Sequence, residues 1–138
     1  MDLDSFTGGY NRAYAVVNIE AVRRNILKSR EFLPENTGII AVIKTDAYGH
    51  GAAKVADAVK DITAGFAVAT IDEAVELREA GITSHIIVLG YISPREYAAA
   101  IEHDIILSMF DYKQACALSE LAGTMGKCGR CHIKIDTG

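Results

Sequence analysis

Five short apolar runs, residues 39–43, 66–69, 86–89, 105–108 and 131–135, recur roughly every 20–26 residues with one helix-like stretch between each pair. A serial βα repeat of this kind predicts parallel strands joined by right-handed crossovers. Two architectures use it: the open doubly wound sheet and the closed (β/α)8 barrel. The barrel takes about 250 residues, and this chain has 138. Its last strand-like run leads directly to Gly138 with no helix to cover it, so the sequence reads as cut off within a longer domain.

The stretches between the runs carry helix punctuation. Thr70-Ile71-Asp72-Glu73 reads as a capping box, and Gly81 stands where a C-terminal glycine is expected. Ser93-Pro94-Arg95-Glu96 repeats the device with proline in the first helical position. Asp111-Tyr112-Lys113-Gln114 opens a third helix, which Gly123 is expected to end. Ala52, Val55, Ala56 and Val59 form one apolar face over 52–60, and an opening helix over about 20–33 stops at Pro34. Ala15-Val16-Val17 is a short candidate strand outside the series.

Composition narrows the function classes. A net charge of -4 without a basic block argues against nucleic acid or an acidic membrane as partner. Apolar runs are strand-sized, far short of the ~20 residues of a membrane helix. The acidic start Met1-Asp2-Leu3-Asp4 shows no secretory pattern, which makes the cytoplasm the default location. Cys128-Gly129-Arg130-Cys131-His132 has the form of a c-type haem attachment motif. Haem attachment follows export, a zinc site would want four ligands, and a redox pair would sit before a helix rather than a strand. These are read as loop cysteines, and no metal is expected.

Lys44 closes the run Ile39-Ile40-Ala41-Val42-Ile43 and opens Thr45-Asp46-Ala47-Tyr48-Gly49-His50-Gly51. The run is short, β-branched and unalternating, the pattern of a strand buried on both faces. Its C-terminal end is where α/β folds place their chemistry. From position alone, a solvated lysine capping a strand explains the residue as well as a functional one. The last strand poses a second question. Alternation puts Ile133 and Ile135 on one face and His132, Lys134 and Asp136 on the other. In a free domain the polar face of an edge strand would meet water. In a barrel the isoleucines would meet the outer helices, and three ionisable groups would point inward and need partners.

Ala41-Val42-Ile43-Lys44-Thr45-Asp46-Ala47-Tyr48-Gly49-His50-Gly51 resembles the pyridoxal 5'-phosphate attachment motif of the alanine racemases, with Thr45 and Asp46 departing from the commoner form. The likeness continues through Ala15–Ala21, Leu33-Pro34, Ala69–Ala74 and Ile87–Gly90, and ends in Lys134-Ile135-Asp136-Thr137-Gly138. It implies a (β/α)8 TIM-type barrel, of which residues 1–138 would be the N-terminal part with about five strands. A separate C-terminal β domain would be absent. It also implies a homodimer with shared sites that interconverts L- and D-alanine for peptidoglycan precursors. By resemblance Lys44 holds the cofactor as a Schiff base and exchanges the substrate α-proton on one face. Tyr48 would donate to the cofactor phosphate. Lys134 resembles the family's carbamylated lysine, a modification that would turn an inward cation into an anion able to orient an arginine. His50, between two glycines, is read as shaping the loop.

The second acid/base, a tyrosine from the partner subunit in this family, is not in the chain. Little or no activity is therefore expected of the 138 residues alone. A serine racemase of the same family fits these residues equally. A pyridoxal-phosphate-binding protein without turnover is the rival from another class, and the Ala47–Gly51 segment argues against it. A redox or haem protein built on Cys128 and Cys131 is a third class.

Overall fold

The structure is a computed structural model, and it describes residues 15–138; the acidic start at Met1–Asp4 lies outside the described residues. Five strands form one sheet in the order β1-β2-β3-β4-β5: Ile40–Val42, Gly65–Val68, His85–Val88, Ile106–Met109 and Cys131–Ile133. Every neighbouring pair is parallel, and strand order follows chain order. A helix or helical segment fills each crossover. This is the opening five-stranded arc of the serial barrel arrangement, as opposed to the reordered sheet of a doubly wound domain.

The register explains the layering. Phe66, Val68, Ile86, Val88, Leu107 and Met109 share one sheet face, and all are buried in the main core. Against them pack Val55 and Val59 of α3 (Ala52–Val59), Leu77 of α4 (Ile71–Glu79), Tyr97 of α5 (Tyr97–Glu102) and Leu118 of α6 (Tyr112–Thr124). Burying each such side chain contributes about 1.5–3 kcal/mol. The alternate residues, among them Ala67, Ile87 and Ile106, lie on the inner face. β1 departs from the expectation of burial on both faces: Ile40 and Val42 remain 44% and 42% exposed. Among the described residues β1 has a partner on one side only, so its inner face is covered by fewer neighbours than those of β2 to β4.

Local signals place the helices. Asn18 caps α1 (Ile19–Arg30), accepting from the Ala21 N–H at 3.0 Å. Thr70 and Glu73 form the expected capping box, Ser93 and Glu96 form another over a 3₁₀ turn (Pro94–Glu96), and Asp111 accepts from the Gln114 N–H. α1 ends at Arg30, three residues short of 33, and turns bridge it to Pro34. Ala15-Val16-Val17, a candidate strand, carries no regular secondary structure.

One helix terminus differs from expectation. α6 runs through Gly123 and stops at Gly126, whose φ is +63°. The Gly126 and Lys127 N–H groups donate to the Gly123 and Ala122 carbonyls, the paired bonds of a Schellman motif. A left-handed residue one past the cap is what the motif requires, and Gly123 is one turn too early for it.

Candidate active site

The chain after β1 does something composition does not announce. Ile43 continues the ladder, donating its N–H to the Ala67 carbonyl at 2.9 Å. Lys44–Gly49 then forms α2, a single helical turn in which Thr45, Asp46, Ala47 and Tyr48 all have φ between 51° and 55°. It is a left-handed turn built from four consecutive non-glycine residues. Such backbone costs about 1–2 kcal/mol per residue and persists only where surroundings over-determine it.

Those surroundings are visible. The Ala47 N–H donates to the Ile43 carbonyl at 2.9 Å, and the Ala47 side chain is buried. Asp46 accepts twice, its carbonyl from the Gly51 N–H at 3.0 Å and its Oδ1 from the Ala52 N–H at 2.6 Å. The second bond satisfies a donor at the start of α3. His50 Nδ1 lies 2.9 Å from the Ala47 carbonyl, the loop-shaping part expected of it. The Thr45 N–H donates to Glu73 Oε1 at 2.6 Å.

Lys44 therefore stands at the C-terminal end of β1, half-buried, and among the described residues its ammonium enters no ion pair or hydrogen bond. Tyr48, on the same turn, is 59% exposed, and its hydroxyl has no partner among the described residues. Lys134 follows β5, and its N–H donates to the Met109 carbonyl at 2.9 Å. Its ammonium lies 3.8 Å from Asp136. Lys44 and Lys134 thus occupy the same, C-terminal, edge of the sheet with three strands between them, while Lys44 and Tyr48 share the turn of α2. The face assignment of the last strand follows the register: Ile133 lies beside Met109 and His132 beside Ser108. Ile133 and Ile135, expected to meet outer helices, are instead 81% and 77% exposed.

Two concavities lie toward opposite ends of the strands. A cavity of about 410 Å³, lined by Ile40, His85, Ile87, Ile106 and His132, lies on the inner face toward the strands' N-terminal ends, away from Lys44. An apolar one of about 310 Å³ adjoins α2 between Val22, Ile26, Ala47 and Val55. Cys128 and Cys131 are free and exposed. No helix of the described residues is long and apolar enough to cross a membrane.

A serial parallel βα arc with a lysine at the C-terminal end of its first strand defines the class: part of a barrel whose chemistry belongs at that edge. Comparison with known proteins narrows it. Residues 17–138 match the family model described as the alanine racemase N-terminal domain. The chain is 40% identical over 126 residues to an alanine racemase of Desulforamulus reducens, covering 91% of this chain and 34% of that protein. A solved alanine racemase of Clostridium difficile 630 superposes with a TM-score of 0.86 at 34% identity, over 91% of this chain and 35% of that one. A histidine racemase of Leuconostoc mesenteroides superposes with a TM-score of 0.79 at 30% identity, over 87% and 32%. The chain belongs to the alanine racemase family, and it spans about a third of the length of these relatives.

The sequence singles out Lys44 and Tyr48, but it shows neither the hand of α2 nor the bond from Thr45 to Glu73. Glu73 was visible only as a capping residue. Its bond to Thr45 crosses 28 positions, for which a single sequence carries no local signal.

Proposed function

We propose that these residues belong to a pyridoxal 5'-phosphate-dependent amino-acid racemase acting on alanine, with Lys44 as the residue that holds the cofactor and Tyr48 as a donor to its phosphate. The observation that carries the reading is Lys44 itself: a half-buried amine at the C-terminal edge of a parallel sheet, unengaged among the described residues, on a backbone turn held by its surroundings. An unengaged amine suits an aldehyde, and a phenol four positions on, its hydroxyl open, suits an anionic oxygen. Bound there, the cofactor supplies the electron sink for the carbanion left at the substrate α-carbon.

The chain's own part is to place that amine and to move a proton. Lys44 Nζ takes the α-proton, or returns it, on one face of the substrate. The residue serving the opposite face is expected from the partner subunit of a homodimer, and cytoplasmic D-alanine supply for the cell wall is the corresponding role. Lys134 is proposed as a carbamylation site. Carbamylation would replace the cation now beside Asp136 with an anion. Because a histidine racemase shares this arc, the arc by itself does not choose among amino acids, and serine stays a substrate to assay alongside alanine.

Two measurements test the reading. Incubation with pyridoxal 5'-phosphate and borohydride should leave a pyridoxyl label on Lys44, and Lys44→Ala should abolish it. A wild-type protein with no label at that position would end the proposal. For a protein carrying these residues at the relatives' full length, formation of D-alanine or D-serine from the L-form distinguishes a racemase from a protein that only binds the cofactor.

A further inference from the structure

We propose that Glu73 is a positioning residue for Lys44, a carboxylate strut that locks the left-handed turn after β1 to the end of β2. The inference rests on the reading of Lys44 given above. It concerns a residue that makes no contact with the amine, since Lys44 and Glu73 form no ion pair among the described residues.

The geometry is a three-donor clasp. Glu73 Oε2 accepts from the Ala69 N–H at 2.7 Å and the Thr70 N–H at 3.3 Å. Oε1 accepts from the Thr45 N–H at 2.6 Å. The backbone ladder between β1 and β2 ends at the Ile43 N–H to Ala67 carbonyl bond, because Lys44 turns away into α2. The carboxylate takes over at that point, joining the amide next to Lys44 to the amides that follow β2. Only a group with two acceptor oxygens and no hydrogen can serve donors on both sides at once. Hydrogen bonds to a charged acceptor are the strong ones.

Capping alone does not account for this. A second box has the same parts, Ser93 and Glu96, yet among the described residues Glu96 accepts only from the Ser93 N–H, at 3.2 Å. Gln114, at the corresponding position of α6, likewise accepts only from the Phe110 N–H. Both helical segments form without a further donor to that side chain, so the Thr45 bond to Glu73 Oε1 is surplus to the needs of α4.

The turn, by contrast, needs it. Its remaining hydrogen bonds stay within residues 43–52, and beyond them the turn is seated by the burial of Ala47 and by its packing on α3. Among the described residues the Glu73 bond is the one that fastens the turn to a neighbouring strand's end. A strained element that loses one of its few external ties shifts, and the first residue to feel it is the lysine beside Thr45. Reactive groups lose much of their effect when displaced by about 1 Å.

The test uses the 138-residue chain and three variants. Glu73→Ala removes the strut, Glu73→Gln keeps its volume and one acceptor oxygen, and Thr70→Ala weakens the cap of α4 while leaving the strut. Hydrogen exchange at the Thr45 amide should accelerate at least about tenfold in Glu73→Ala, as expected for losing a charge-assisted bond. It should accelerate less in Glu73→Gln and stay at the wild-type rate in Thr70→Ala. Borohydride labelling with pyridoxal 5'-phosphate should show the preference for Lys44 over Lys54 and Lys60 falling in the same order. Unchanged Thr45 exchange in both Glu73 variants overturns the proposal. So does equal acceleration in Thr70→Ala, which would reduce Glu73 to a capping residue. Absence of label in the wild type would count against the cofactor assignment instead, and the exchange rates would still decide the strut.

Discussion

Thr45 to Tyr48 put four β-carbons into a left-handed turn that would ordinarily be left to glycine, directly after the lysine on which the proposed chemistry rests. That the cost is borne here, and nowhere else over consecutive residues in the described chain, ties the strain to the placement of Lys44. Gly123 and Gly126 make a contrast in the same physics. A β-carbon at either meets nothing within 4 Å, so backbone conformation alone separates them. Gly123 lies within α6, and Gly123→Ala should stabilise by about 0.5–1 kcal/mol through helix propensity. Gly126 has φ +63°, and Gly126→Ala should destabilise by about 1–2 kcal/mol. Urea unfolding of the two variants checks both signs, and a loss of stability in Gly123→Ala would contradict the observed end of α6.

At the scale of elements, two arginines join pieces that the sheet does not. Arg78 donates to the carbonyls of Ile82, Ser84, His103 and Asp104, gathering the chain after α4 and after α5 on one guanidinium. Arg23 of α1 holds Asp61, just past α3, by two hydrogen bonds of 2.5 and 2.6 Å, and also donates to the Ala58 carbonyl. The hydrogen bond from Arg23 is the main reason the Asp61 carboxyl titrates at about 2, below its ordinary 3.8. A depressed carboxylate stabilises the fold fully above the unfolded value and loses that contribution as pH falls through the folded one. Thermal stability should thus decline between pH 3.8 and about 2 partly through Asp61. In Asp61→Asn, melting curves recorded against pH should be flatter over that window and lower above it. An unchanged pH slope would mean the exposed pair is screened.

On the scale of the molecule, the arc has two outer strands, β1 and β5, each with one neighbour among the described residues. Unpaired strand edges and half-covered apolar residues such as Ile40, Val42 and Ile133 favour association. The 138 residues purified alone are therefore expected to sediment as concentration-dependent oligomers and to give no D-alanine above the buffer rate. Racemisation by this chain in isolation would refute the expectation that the opposite-face acid/base comes from elsewhere. Lys44, Tyr48 and Lys134 lie on one sheet edge, with three strands between the two lysines.

Much of this was legible in local spacing. The strand runs lie within three residues of the observed strands, and the caps at Thr70, Ser93 and Asp111 are where their side chains placed them, because a cap is an interaction between positions two or three apart. Lys44 stood out for the same reason: it follows an apolar run and precedes glycines. What the sequence could not express is decided across distance. The left hand of α2 has no intrinsic cause in Thr-Asp-Ala-Tyr, residues that on their own favour other backbone regions. It exists because buried Ala47, the Asp46 carboxylate on α3 and Glu73 across 28 positions together outweigh its strain. Periodicity and capping are properties of neighbours in the chain, whereas the exact seat of a reactive amine is a property of neighbours in space.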